Sequence, residues 1–144
     1  TIKSSDRTSF FQPFWEKDDK KLSQILSDLL FTTISYHDYS KSFYHAILVG
    51  LLSKAGYIVE SNFENGLGRS DIAVKDRADR KAVVIEVKVS DSEACLEADC
   101  EKALAQIREK RYADKIKTED YRTVLSYGMA FYKKTCLVKI MINK

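Results

Sequence analysis

The stretch that most constrains this chain is Ala82–Val89, AVVIEVKV. Its β-branched side chains and short length read as a central strand covered on both faces. Within it Glu86 and Lys88 are two residues apart, so they share a face and Val87 takes the other. A buried acid and a buried lysine are costly unless they are paired or bound to a metal. Just upstream, Asp71 to Lys75 reads as a second strand with Asp71 at its start. The six residues Asp76 to Lys81 between the two runs, five of them charged, read as a solvated turn. Two carboxylates and a lysine thus converge at one sheet edge, a pattern suited to a metal ion and a water. Spacing alone leaves an ion pair, Glu86–Lys88 or Asp71–Lys88, equally open.

The other elements follow from periodicity. Residues 1–19 show no clear period. Phe10, Phe11, Phe14 and Trp15 cluster around Pro13, the single proline, and should pack on the domain or on whatever precedes it. Residues 19–34 predict an amphipathic helix with Leu22, Ile25, Leu26, Leu29 and Leu30 on one face. Ser40 can cap the next helix, SFYHAILVGLLSKAG, which Gly56 would stop. That helix is apolar over most of its circumference, which implies burial between layers. Tyr57 to Glu60 reads as a short strand, and Gly66 and Gly68 mark a tight loop. A third helix is predicted over 94–112, with Leu96, Cys100, Ala103, Leu104 and Ile107 as its core face. Two strands, Tyr127 to Tyr132 and Cys136 to Ile142, flank a turn at Lys133 and Lys134. The expected order is α-α-β-β-β-α-β-β.

A chain of 144 residues suits one domain with a real core. Charged residues are 31% against 44% apolar, which excludes a disordered class. No apolar run approaches the roughly 20 residues of a membrane helix. Cys95, Cys100 and Cys136 lack disulfide or metal-ligand spacing, so reduced thiols in a cytoplasmic protein are expected. The chain opens at Thr1, and a longer natural polypeptide is the expectation. Basic residues are concentrated late. Residues 1–72 carry eight Lys/Arg against nine Asp/Glu, and residues 73–144 carry sixteen against twelve. The half holding Glu86 and Lys88 is therefore the one that favours a phosphate-bearing partner.

Phosphodiester hydrolysis gives these residues a purpose. A divalent ion polarises the scissile phosphate and lowers the pKa of an attacking water. Mg²⁺ takes oxygen ligands and keeps several waters. Asp71 and Glu86 can supply carboxylates, Val87 a backbone carbonyl, and Lys88 a cation for the phosphate or the water.

The spacing D-(x)₁₄-E-V-K, an acid opening one strand and E-x-K in the next, resembles the PD-(D/E)XK nuclease superfamily. SFYHAILVGLL, SNFENGLGRSDI, VVIEVKV, ALAQIREKRY and YGMAFYKKTCLVKI extend the likeness over roughly residues 30 to 142. Together these blocks resemble the nuclease-like domain at the C-terminus of bacterial proteins with an AAA-ATPase-like N-terminal domain. The resemblance implies an α/β fold, a restriction-endonuclease-like central mixed sheet flanked by helices. The domain would occupy 36–144, led into by an aromatic segment and helix over 1–35. Asp71 and Glu86 resemble the metal-binding acids, Lys88 the catalytic lysine, and Gln106 the polar residue contributed by the following helix. The helix before the sheet often gives a further acid, whose counterpart here is His45, a ligand better suited to Mn²⁺ than to Mg²⁺. A neutral core role for His45 is equally open. Glu64 is the other candidate acid, and Glu60 a third. Arg69 and Lys110 are candidates to hold substrate phosphate; with no substrate, Arg69 would pair with Glu64 or Asp71. Tyr112 lies six residues after Gln106 instead of the four of a related pattern. Lys133 and Lys134 default to a solvated turn.

The implied function is a nuclease dependent on Mg²⁺ or Mn²⁺ and acting on nucleic acid, DNA ahead of RNA. It would sit in the cytoplasm, off the membrane, on the same polypeptide as an ATPase-like domain. The rival reading is a catalytically inactive, nuclease-like module that binds nucleic acid or protein, which the histidine in place of an acid makes credible.

Overall fold

The apolar run does form the middle of a sheet. The computed structural model describes residues 4–32, 40–53, 56–61 and 71–141. In chain order these contain α1 (Ser4–Trp15), α2 (Asp19–Thr32), α3 (Lys41–Ser53), β1 (Ile58–Ser61), β2 (Ile72–Asp76) and β3 (Lys81–Val89). There follow a 3₁₀ turn (Glu93–Cys95), α4 (Leu96–Lys110), α5 (Tyr112–Lys117), β4 (Thr123–Tyr132) and β5 (Thr135–Ile140). The strands lie in sequence order in one sheet. All neighbours are antiparallel except β3 and β4, which run parallel with Glu86 opposite Gly128 and Lys88 opposite Ala130. A parallel pair needs a crossover, and α4 and α5 provide it. The architecture is α/β, a five-stranded mixed sheet flanked by helices.

Alternation along the strands sorts the two faces. Val83, Ile85 and Val87 of β3, with Leu125, Tyr127, Met129 and Phe131 of β4, join the core formed with α1, α2 and α3. Ala82 and Val84 face the other way, against Leu104, Ile107, Tyr112 and Ile116 of α4 and α5. On β4 that second face carries Ser126, Gly128 and Ala130, all small. A Cβ on Gly128 would stand 2.6 Å from the Cys100 carbonyl and 3.1 Å from both Ala103 Cβ and Leu104 Cγ. Glycine is needed there because α4 lies almost on the strand backbone. This close approach fixes α4 at the level of Glu86.

The first helix was not legible as one. Phe10, Phe11, Phe14 and Trp15 recur at i, i+1, i+4 and i+5, a helical stripe disguised by Pro13. The proline falls in the last turn of α1, where little ladder remains to be lost. Phe10 stacks on Phe14, and Phe14 on Tyr127, at centroid distances of 5.3 and 5.7 Å. The aromatic segment therefore packs on the domain. Two further boundaries move. The helix expected over 94–112 ends at Arg111, whose φ of 56° puts it in the left-handed region, and α5 starts afresh from there. β4 begins at Thr123, four residues before the expected start, because it pairs with β3 from Lys81 onward.

α2 also closes one edge of the sheet. Asp19, Ser23 and Ser27, each four residues apart, accept the outward amides of Ile140, Val138 and Cys136 at 3.1, 2.8 and 2.9 Å. Covering the outer edge of β5 in this way satisfies its backbone and blocks strand addition there. The Ser40 cap is present: its hydroxyl accepts the Phe43 amide at 3.3 Å. The three cysteines are free thiols. No helix among the described residues is long and apolar enough to cross a membrane.

Candidate metal centre

Beyond the last paired residues of β2 and β3, Ile72 and Ile85, Asp71 falls across from Glu86. Both acids are nearly sealed from solvent, at 3% and 2% exposure. Asp71 Oδ2 accepts the Val87 amide at 2.9 Å, so the carboxylate continues the sheet ladder where backbone pairing stops. The amide and carbonyl of one strand residue project to the same edge, so the Val87 carbonyl also faces the side on which Asp71 lies. Asp71 Oδ2 meets the Lys41 ammonium at 3.0 Å as well.

Glu86 is less well served. Among the described residues its Oε1 is buried with no hydrogen-bond partner. Burial, followed by the charge of Asp71, pushes its carboxyl up from 4.5 to about 7, against the opposing pull of Lys41, Lys88 and the Asp71 backbone amide. An unpartnered buried carboxylate oxygen beside a second buried carboxylate is an unfinished polar site, and a hard divalent cation is the group that would finish it. The donor set fits Mg²⁺ or Mn²⁺: two carboxylates and a carbonyl, with water for the remainder. Among the described residues no three His, Cys, Asp or Glu side chains gather as a metal cluster.

Lys88 shares the face of Glu86, and its Nζ donates to Gln106 Oε1 at 2.6 Å. Gln106 is thereby drawn from α4 onto the strand. Lys110, one turn further, lies on the same side of α4. The start of α4 is pinned by Ser90, next on that face of the chain, whose hydroxyl donates to Asp99 Oδ2 at 2.6 Å. His45 is buried on α3, with Nε2 at 3.0 Å from Ser61 Oγ and 3.4 Å from the Asp71 carbonyl oxygen. It therefore meets Asp71 through the backbone, whereas the carboxylate is held by Lys41. Tyr112 lies in the apolar core with Ile107 and Ile116. Glu60, on β1, turns to Lys75 at 2.9 Å. Glu64, Gly66, Gly68 and Arg69 lie outside the described residues.

Sequence reasoning missed Lys41. The available signal was its spacing from His45: residues i and i+4 share a helix face, so a helix that brings His45 to Asp71 brings Lys41 too.

The family model described as the PD-(D/E)XK nuclease superfamily matches residues 40–140. The chain belongs to that superfamily. Comparison with curated proteins gives no match, and comparison with solved structures gives none. The matched span covers α3 and every strand, so it includes both acids, Lys88 and Gln106. Within this PD-(D/E)XK domain Asp71, just before β2, lies beside Glu86 of β3, with Lys88 on the same face of that strand. The mixed sheet with helices on both faces is consistent with the restriction-endonuclease-like arrangement.

Proposed function

We propose that this domain is a metal-dependent nuclease that hydrolyses phosphodiester bonds in nucleic acid, with DNA the favoured substrate. The observation that carries the reading is the buried pair Asp71–Glu86 with an orphaned Glu86 oxygen. Asp71, Glu86 and the Val87 carbonyl would hold Mg²⁺ or Mn²⁺. When bound, such an ion supplies Lewis acidity to the phosphate and acidity to a water. Lys88, steadied by Gln106, places a positive charge where negative charge builds on the phosphate in the transition state. Lys110 and Arg69 are assigned to flanking phosphates and Glu64 to completing the ligand set, while His45, turned to Ser61 and the Asp71 backbone, is assigned to positioning Asp71. The resemblance of the five sequence blocks supports a cytoplasmic setting beside an ATPase-like domain of the same polypeptide.

One observation favours the rival, a nuclease-like binding or regulatory module: the helix that would bring a third acid brings Lys41 to Asp71 instead. Cleavage decides between them. Plasmid DNA, single-stranded DNA and RNA should be nicked or degraded with Mg²⁺ or Mn²⁺, and Glu86→Ala should not cleave. Binding without turnover of any of these substrates with either metal would select the module.

A further inference from the structure

The ion pair between Lys41 and Asp71 has an unusual origin. Lys41 is the first residue of α3, directly after the Ser40 cap, and no acid lies in that first turn. A cation at a helix N-terminus opposes the helix dipole, so the position is unfavourable unless something nearby holds the ammonium. Asp71 does, at 3.0 Å, with the lysine side chain 36% exposed and the aspartate 4%. One turn later His45 reaches the backbone carbonyl of the same residue. Two side chains of α3 thus converge on one aspartate, the charged one on its carboxylate.

We propose that Lys41 is a built-in counter-ion that competes with a divalent cation for Asp71, and so sets the metal affinity of this site. The inference rests on the metal-site reading above. A divalent ion taken up by the Asp71 carboxylate meets the ammonium as a like charge, whichever carboxylate oxygen it uses. Lys41 has an outlet, because it is partly exposed and long. Lys88 is the internal comparison. It is equally charged and also near Glu86, but its ammonium is held by Gln106, a neutral amide, so it competes for neither carboxylate by contact.

The test is Mn²⁺ titration of the full chain, followed by calorimetry or by the spin-resonance signal of free Mn²⁺ at fixed pH and salt. Lys41→Met should tighten Mn²⁺ binding by about tenfold or more, since a neighbouring opposite charge moves carboxylate equilibria by roughly one to three pK units. Lys88→Met should tighten it clearly less. Lys41→Arg, which keeps the ion pair and so protects the fold, should bind Mn²⁺ no more tightly than the natural chain. Unchanged or weaker binding in Lys41→Met, equal tightening in Lys88→Met, or tighter binding in Lys41→Arg would overturn the proposal. If the natural chain binds Mn²⁺ and Glu86→Gln abolishes it, the metal reading stands even where these lysine results go the other way. Absence of Mn²⁺ binding in the natural chain and in Lys41→Met would overturn both.

Discussion

Two charged clusters lie four residues apart along the β2 segment, one at Asp71 just before the strand and one at Lys75 within it, with Ala73 between them. They solve the same problem in opposite ways. Lys75 is buried, but its ammonium meets Glu119 at 2.7 Å and Glu60 at 2.9 Å, and both carboxylates are more than half exposed. Burial lowers its pKa, yet the two carboxylates outweigh that and leave it raised. Every strong partner is present, and the acids keep their contact with water. At the other cluster the acids are buried and their cations are partly exposed. Glu86 is left with a bare oxygen and a carboxyl reluctant to ionise. A satisfied ion cluster is structural, whereas an unsatisfied one is prepared for something not made of protein.

The comparison breaks most visibly in catalysis. Lys88→Met should lower nucleic-acid cleavage by roughly 10²–10³-fold, the usual loss for one charge-stabilising donor, and should still bind Mn²⁺. Lys75→Met should cleave at nearly the natural rate. Comparable losses in both variants would erase the distinction between the clusters.

Stability gives the next test, and its sign is informative. The folded-state pKa of Glu86 lies above its ordinary 4.5, at about 7. The folded protein therefore holds a proton that the unfolded chain releases over that window, and stability falls as pH rises through it. Keeping Glu86 ionised above pH 7 costs on the order of 3 kcal/mol. Glu86→Gln removes that cost. Measured in EDTA by urea unfolding, its gain over the natural chain should be greater at pH 8 than at pH 5 by about 2 kcal/mol. Parallel pH profiles for the two proteins would contradict this origin of the raised pKa.

The smallest effect belongs to the satisfied cluster. Lys75→Met keeps most of the buried stem and leaves two exposed carboxylates that water can solvate, so the loss should be about 1 kcal/mol. A thermal or urea melt that loses several times as much would show that Lys75 holds the sheet more firmly than its exposed partners suggest.

What the sequence disclosed follows the same division. Asp71, Glu86 and Lys88 were legible because strand alternation is strict, and a charge inside AVVIEVKV stands out against its neighbours. Gln106 was singled out by the family resemblance of its helix, and its hydrogen bond from Lys88 places it beside β3. Lys41 was not, because its i, i+4 relation to His45 gains meaning only once α3 is seen to bring both side chains to Asp71. α1 was hidden by a proline that its last turn tolerates. The break at Arg111 was hidden because a non-glycine residue takes the left-handed conformation there. The early start of β4 was hidden by Ser126 and Gly128, which weaken a strand signal but are the residues that admit α4.

The central claim is that Asp71 and Glu86 form a metal centre while Lys75 and its acids do not. Mn²⁺ binding, titrated on the natural chain and its variants under one set of conditions, tests it most directly. The natural chain and Lys75→Met should bind Mn²⁺ with similar affinity, and Glu86→Gln should lose that binding. Mn²⁺ binding that survives in Glu86→Gln, or that is absent from the natural chain and from Lys41→Met alike, would contradict the account.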